Sequence, residues 1–239
     1  MSLCPDIDLH RAIIDLNASV DAETPSFDCS MCTTEYYTLN CSLTNNRITR
    51  FKQSLQYIVP PTSSTTDVLD TCLPADFILL LLSSTVEVPE SSLNTLRSIL
   101  SQGTPSIIPI VANLTFHTNP KTRAEVKKSL LTYIQQYIPT VERVFAADDR
   151  GEASTVMRMV CTGIPVGIRW REQRSYLLPE DWRWDEEEGK VVCCGTIRGK
   201  PLQVDRLIHL PSYGDLQIDK VILIITCADI RSVRCLMSP

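Results

Sequence analysis

Glycine is scarce in this 239-residue chain and unevenly placed: all eight glycines lie at or after Gly103, and residues 1–102 contain none. A loop that cradles phosphate needs glycines so that backbone N–H groups can approach without a Cβ in the way. No G-x-x-x-x-G-K-[S/T] occurs anywhere in the chain. Long apolar runs are missing too. Phe77–Leu82 falls far short of the roughly 20 residues a membrane-spanning helix requires. No basic-then-apolar leader opens the chain, which points away from export. Histidine is rare, and His10, His117 and His209 have no Ser/Asp or Cys companions at a spacing that reads as nucleophilic catalysis. Positive charge is not in surplus: residues 1–150 carry 11 Lys+Arg against 16 Asp+Glu, and residues 151–239 carry 12 of each. Neither part has the excess cation with which a free-standing nucleic-acid binder neutralises phosphate.

What is present is an ordinary globular composition, 44% hydrophobic and 21% charged. Ten cysteines in a chain without a leader read as reduced thiols. Cys29 and Cys32 form a C-x-x-C with Cys41 nine residues on, but no second C-x-x-C follows to complete a zinc site, so ordinary buried or half-buried thiols stand beside the metal reading. Cys193-Cys194 sits in a strand-like run and places its two side chains on opposite faces. The acidic run Asp185–Glu188 before Gly189 reads as a solvated turn, with cation binding as the alternative.

Along the chain, Ile7–Leu16 predicts a short amphipathic helix, Ser19–Ser30 an irregular stretch, Glu35–Leu43 and Ile48–Val59 strands, and Pro60–Thr66 a loop. The pattern then sharpens. Asp76–Leu82 and Ser106–Val111 are short continuous apolar runs, the mark of strands buried on both faces. Between them Pro89 opens a helix with Leu93, Leu96 and Leu100 in register, and Gly103 ends it. Asn119 and Pro120 open the next helix, with Val126, Leu130, Ile134, Tyr137 and Ile138 on one face and Pro139 as its stop. Val141–Ala146 predicts a third strand. Asp149 caps a helix over Glu152–Cys161 that ends at Gly163. Strands alternating with helices predict a parallel sheet with flanking helices, hence an α/β fold of GTPase-like order without a phosphate loop. After residue 163 prolines, glycines, arginines and tryptophans increase and strands shorten, predicting a small β-rich, barrel-like domain over 164–221 and a divergent tail over 222–239. Residues 1–163 form the α/β domain, with 1–45 the least legible.

The nucleotide motifs of such a domain can be checked in turn. A D-x-x-G element belongs before the Asp76 strand, where Asp67-Val68-Leu69-Asp70 puts Asp70 in place of glycine. The guanine-reading [N/T]-K-x-D belongs after the Ile107–Val111 strand, where Asn113-Leu114-Thr115-Phe116 puts Leu114 for lysine and Phe116 for the base-reading aspartate. With the phosphate loop also missing, the sheet reads as a scaffold rather than a GTP-hydrolysing site. No cofactor and no small-molecule substrate is expected.

Residues 195–221 carry the most distinctive pattern: Gly195, Arg198, Gly199, Leu202, Val204, Arg206, Leu207, His209, Gly214 and Asp215. The run closely resembles the G-x-x-R-G-x-x-L-x-V-x-R-L-x-H-I-x-G-x-G-D-F signature of the BMS/TSR ribosome-biogenesis factors, with departures at Leu210, Pro211 and Leu216. Further resemblances precede it in order: Ala75–Leu82, Gln102–Pro105, Glu152-Ala153 with Met157-Arg158, and Trp170–Tyr176. The absent phosphate loop places the chain nearer the TSR branch. That resemblance implies a non-enzymatic assembly factor on the pre-40S particle, acting in small-subunit maturation and precursor rRNA processing and blocking premature engagement of translation factors. It implies partners among the precursor small-subunit rRNA and ribosomal proteins, no membrane, and residence in the nucleolus and nucleus, accompanying pre-40S particles to the cytoplasm. The competing readings are an active GTP-binding relative and an interaction module unrelated to ribosomes.

Under this resemblance the candidate contacts with rRNA or ribosomal proteins are Arg169, Arg171, Arg174, Arg198, Lys200 and Arg206. The first three lie within six residues beside Trp170 and Tyr176. They suit phosphate contact with guanidinium stacking, or else a structural clamp paired with Glu172, Glu180 or Asp181. Arg198, Lys200 and Arg206 alternate with apolar residues and are expected on one strand face. Family members begin with a basic tail and continue through further β-rich domains, so the poor match of the first 45 residues and of 222–239 suggests a product truncated at both ends. The Ile222–Ile225 run is expected to form an exposed apolar edge.

Overall fold

The computed structural model describes residues 1–22, 42–60, 64–103, 106–186, 189–210, 214–225 and 231–238. They form two compact units, Met1–Val166 and Gly167–Pro239. The Cys29, Cys32 and Cys41 group and most of the Glu35–Leu43 segment lie outside the described residues. No helix among the described residues is long and apolar enough to cross a membrane.

In the first unit, α1 (Leu9–Ala18) is followed by the antiparallel hairpin β1 (Ser42–Ile48) and β2 (Gln53–Val59), then α2 (Thr65–Cys72), β3 (Phe77–Ser83), α3 (Glu90–Ser101), β4 (Ser106–Ala112), a 3-10 turn at Leu114–Phe116, α4 (Pro120–Gln135), β5 (Phe145–Ala146) and α5 (Arg150–Thr162). Strands β3, β4 and β5 form a parallel sheet in that order. Its strands are apolar throughout because both faces are covered. Leu80, Leu82 and Val111 pack with Leu96 of α3 and Ile134 of α4 on one side. Ile108, Ile110 and Phe145 pack with Leu16 of α1 and Val156 and Met157 of α5 on the other. The hairpin joins the second layer through Ile48, while Tyr57 and Val59 pack on Ile13.

The helix boundaries follow local chemistry. The Asn119 side chain accepts from Lys121 N at 3.0 Å with Pro120 in the first turn, and the Asp149 side chain accepts from Gly151 N at 2.9 Å. Gly103 adopts φ 83 just past α3, a left-handed conformation that only glycine takes at little cost. Several expectations are corrected. The stretch Ile48–Val59 is not one strand: Thr49–Lys52 turns the chain, with Lys52 at φ 54. The expected loop gives way to α2 from Thr65, so Asp67–Asp70 is helical. Helix α4 ends at Gln135, before Pro139, and the Gln135 side chain donates to Val141 O at 2.9 Å. Of Val141–Ala146 only Phe145 and Ala146 pair with β4, although Val141 and Val144 are buried.

The second unit holds a one-turn helix α6 (Arg169–Glu172) and strands β6 (Ser175–Asp185), β7 (Lys190–Gly199), β8 (Leu207–Leu210), β9 (Gly214–Ile225) and β10 (Arg231–Ser238). They form an antiparallel sheet in the order β6-β7-β10-β9-β8, over a small core of Cys193, Leu216 and Cys235. A bulge between Pro179 and Asp181 lies opposite Gly195, where a side chain would run into the Leu178 carbonyl. The segment set apart as a tail does not hang free. Residues 222–225 extend β9, and 231–238 form the strand between β7 and β9. The Ile222–Ile225 backbone pairs with Arg231–Arg234 on one side, while on the other side β8 pairs only with Gly214–Gln217.

Candidate functional sites: a closed strand end and a basic turn

Open parallel sheets bind ligands at the carboxyl ends of their strands. Here that position in the first unit is filled by the chain itself. Met1–Leu3 run parallel to β3, with Leu3 N donating to Leu81 O and Leu81 N to Met1 O, both at 2.9 Å. The loop Cys4–Asp8 then leads into α1. This strand–loop–helix unit has the form of a phosphate loop, yet carries Cys-Pro-Asp-Ile-Asp and no glycine. The Asp6 carboxylate accepts from Ser83 Oγ at 2.7 Å and from Asn113 Nδ2 at 3.3 Å. Ser83 Oγ in turn accepts from Thr85 N and Val86 N at 3.2 and 3.3 Å, and Ser84 Oγ donates to Asn113 O at 2.7 Å.

The first loop thus ties together the turns that follow β3 and β4. Asn113, the remnant of the guanine-reading motif, sits at φ 63 with its amide engaged by Asp6. Phe116, at the base-reading position, is 73% exposed. A carboxylate at this point repels phosphate, where a nucleotide site would present N–H groups and lysine. Cys4 is buried beside it, its Sγ 3.6 Å from Val86 O, and burial pushes its thiol pKa up, away from a reactive thiolate. Sequence reasoning searched for phosphate-loop residues and so missed Asp6. The available signal was Asp8 ahead of the periodic apolar residues of α1, where its carboxylate accepts from Arg11 N at 3.3 Å.

The six basic candidates divide in the structure of the second unit. Gly199 has φ 75, and a Cβ there would run into the Arg174 carbonyl oxygen and press on that of Arg171. This close backbone approach, sealed by Lys200 N donating to Arg174 O at 3.1 Å, brings the Arg169–Arg174 turn against the end of β7. Arg198 pairs across the strands with Tyr176. Arg171 is buried, 7% exposed, and is the structural member of the set. Arg169, Arg174 and Lys200 are exposed, with no ion-pair partner among the described residues. The Arg174 guanidinium lies over the Trp170 ring at 5.5 Å. Glu172 folds back over Gly167, where a Cβ would meet its carboxylate. Arg206 stands apart in an exposed turn before β8. The expected shared strand face for Arg198, Lys200 and Arg206 is therefore not formed, because β7 ends at Gly199 and the chain turns before Arg206. His209 is exposed and pairs with Asp215 at 2.9 Å. No group of three or more metal-ligating side chains occurs among the described residues.

A parallel sheet with GTPase-like strand–helix order, followed by an antiparallel β unit, defines a GTPase-like α/β fold with an added β unit. The solved structure of a bacterial selenocysteine-specific elongation factor, EF-Sec, superposes with a TM-score of 0.59 at 8% identity, over 95% of this chain and 40% of that one. The model of the Tsr1 G-like domain matches residues 1–162 and that of the AARP2CN domain matches residues 165–225. The chain belongs to the Tsr1 family. It is 35% identical to the ribosome biogenesis protein tsr1 of Schizosaccharomyces pombe over 92% of its length, and 33% identical to a pre-rRNA-processing protein TSR1 homolog of Dictyostelium discoideum over 66%. It spans 27% and 19% of those proteins' lengths.

Proposed function

We propose that this chain serves as a non-enzymatic assembly factor in small-subunit maturation and precursor rRNA processing, docking on the pre-40S particle in the nucleolus and nucleus and travelling with it to the cytoplasm. In this reading residues 1–163 are a GTPase-shaped scaffold and 164–221 a β domain that carries the contacts. Membership in a family whose named relatives are ribosome biogenesis and pre-rRNA-processing proteins supports the assembly role. The observation that carries the non-enzymatic part is the Asp6 carboxylate, held by Ser83 and Asn113 where a phosphate loop would otherwise offer N–H groups. Arg169, Arg174 and Lys200 are the contacts with rRNA or ribosomal proteins, Arg171 and Arg198 support them, and Arg206 forms a separate point of contact.

The test is sucrose-gradient sedimentation of tagged protein from its own cells, probing each fraction for precursor small-subunit rRNA. Co-migration with pre-40S particles, together with no retention of labelled GTP by purified protein, is the expected result. Protein confined to the top of the gradient overturns the assembly role, and saturable GTP binding overturns the non-enzymatic one.

A further inference from the structure

We infer that the Arg169–Arg174 turn and the end of β7 form a receptor for single-stranded RNA, in which an unpaired base extends the Trp170–Arg174 stack while Arg169 and Lys200 hold the flanking phosphates. The inference deepens the assembly reading above and rests on it for the source of the RNA. Its basis is geometric. The guanidinium of Arg174 already lies over the indole of Trp170 at 5.5 Å, a cation–π pair formed before any ligand arrives. Arg and Trp are the two side chains on which nucleobases stack best, and a planar guanidinium adds charge to the stack.

Arg169 precedes Trp170 in α6, and the backbone brings Lys200 beside Arg174 from the end of β7. Gly199 lets the backbone of the turn close on the strand, and Lys200 N is fixed to Arg174 O. The acid within the turn, Glu172, is folded back over Gly167. Arg169, Arg174 and Lys200 are exposed beside Trp170, itself 37% exposed. Such a surface suits a single strand with splayed bases. A duplex buries its base faces and offers only backbone and groove. An acidic peptide has the charge but no flat ring to add to the stack.

The experiment measures binding of a fluorescein-labelled single-stranded oligo(A) of about twelve nucleotides by anisotropy, using the full chain at several salt concentrations. A duplex RNA of the same length and a poly-glutamate peptide serve as competitors. Two phosphate contacts predict a log–log salt slope of about −1.4. Trp170→Ala is expected to weaken binding about tenfold, and Trp170→Phe to restore most of it. Arg174→Lys keeps the charge and the salt slope but loses several-fold through the missing planar stack. Arg169→Glu with Lys200→Glu lowers both the affinity and the slope.

The inference is overturned if Trp170→Phe, Trp170→Ala and Arg174→Lys all bind like the parent, or if duplex or poly-glutamate competes as well as the single strand. The Phe and Lys variants keep the test open should Trp170→Ala fail to fold. Gradient sedimentation separates the two readings. Oligo(A) binding with no pre-40S co-migration sinks the assembly role alone, whereas co-migration with oligo(A) binding unchanged by these substitutions sinks the RNA receptor alone.

Discussion

Asp6 lies in the loop between the Met1–Leu3 segment and α1, and its hydrogen bonds to Ser83 and Asn113 join three loops at the strand ends. Removing one partner of a buried or half-buried polar contact costs about 1–3 kcal/mol, because the others keep their desolvation penalty. Asp6 itself is exposed and its Ser83 contact is only half-buried, so Asp6→Ala is expected to lower the urea-unfolding free energy by a smaller amount, about 1 kcal/mol. Asp6→Asn, which keeps an acceptor oxygen, loses less. If Asp6→Ala unfolds like the parent, the carboxylate is not holding the loops. A buried contact, Tyr57 Oη donating to Asn17 Oδ1 at 3.0 Å, gives a pH signature. Burial pushes the Tyr57 pKa well above its ordinary value of 10.0. The unfolded chain therefore releases this proton first as pH rises. The associated stability is complete below about pH 10 and is lost progressively above it. Tyr57→Phe is expected to flatten that alkaline decline and to cost about 1–3 kcal/mol at neutral pH through the orphaned Asn17 oxygen. Paired urea titrations across the alkaline range read both effects.

At the level of elements, the α/β alternation from residue 76 to 162 was legible because strands buried on both faces read as unbroken apolar runs, and because Asn119, Asp149 and Gly103 announce helix ends in their own chemistry. Helix α2 escaped notice since it follows a Pro/Ser/Thr tract and buries only Val68 and Cys72. Strand β10 escaped for a different reason: its place between β7 and β9 is set by long-range pairing, which no local pattern encodes. The basic cluster was legible as a group of residue types, but its division was not. Which arginine is buried depends on the close approach at Gly199, a backbone contact between distant segments. Gly199→Ala should accordingly disturb more than a strand end. The φ of 75 and the blocked Cβ predict a loss of about 2 kcal/mol or more, with faster amide exchange at Lys200 as the local readout. Unchanged exchange there would mean the turn is held by other contacts.

For the whole molecule the proposed scaffold role predicts indifference to nucleotide. A ligand that binds only the folded state stabilises it by about 2.7 kcal/mol at a concentration 100 times its Kd, enough to move the melting temperature by several degrees. A GTPase of this size would show that shift with GTP and magnesium. This chain has no glycine in residues 1–102, presents Asp6 at the phosphate position and leaves Phe116 in place of the base-reading aspartate. The expected thermal-melt difference between millimolar GTP–magnesium and magnesium alone is zero within error, for the parent and for Asp6→Ala alike. The two results carry different weight. A shift in the parent would show that the closed strand end opens to phosphate. A shift confined to Asp6→Ala would show a competent site beneath, blocked by one carboxylate rather than lost across three motifs. Single-stranded oligo(A), by contrast, is expected to raise the melting temperature, because the platform of Trp170 and Arg174 exists before the ligand arrives and needs no rearrangement to receive it.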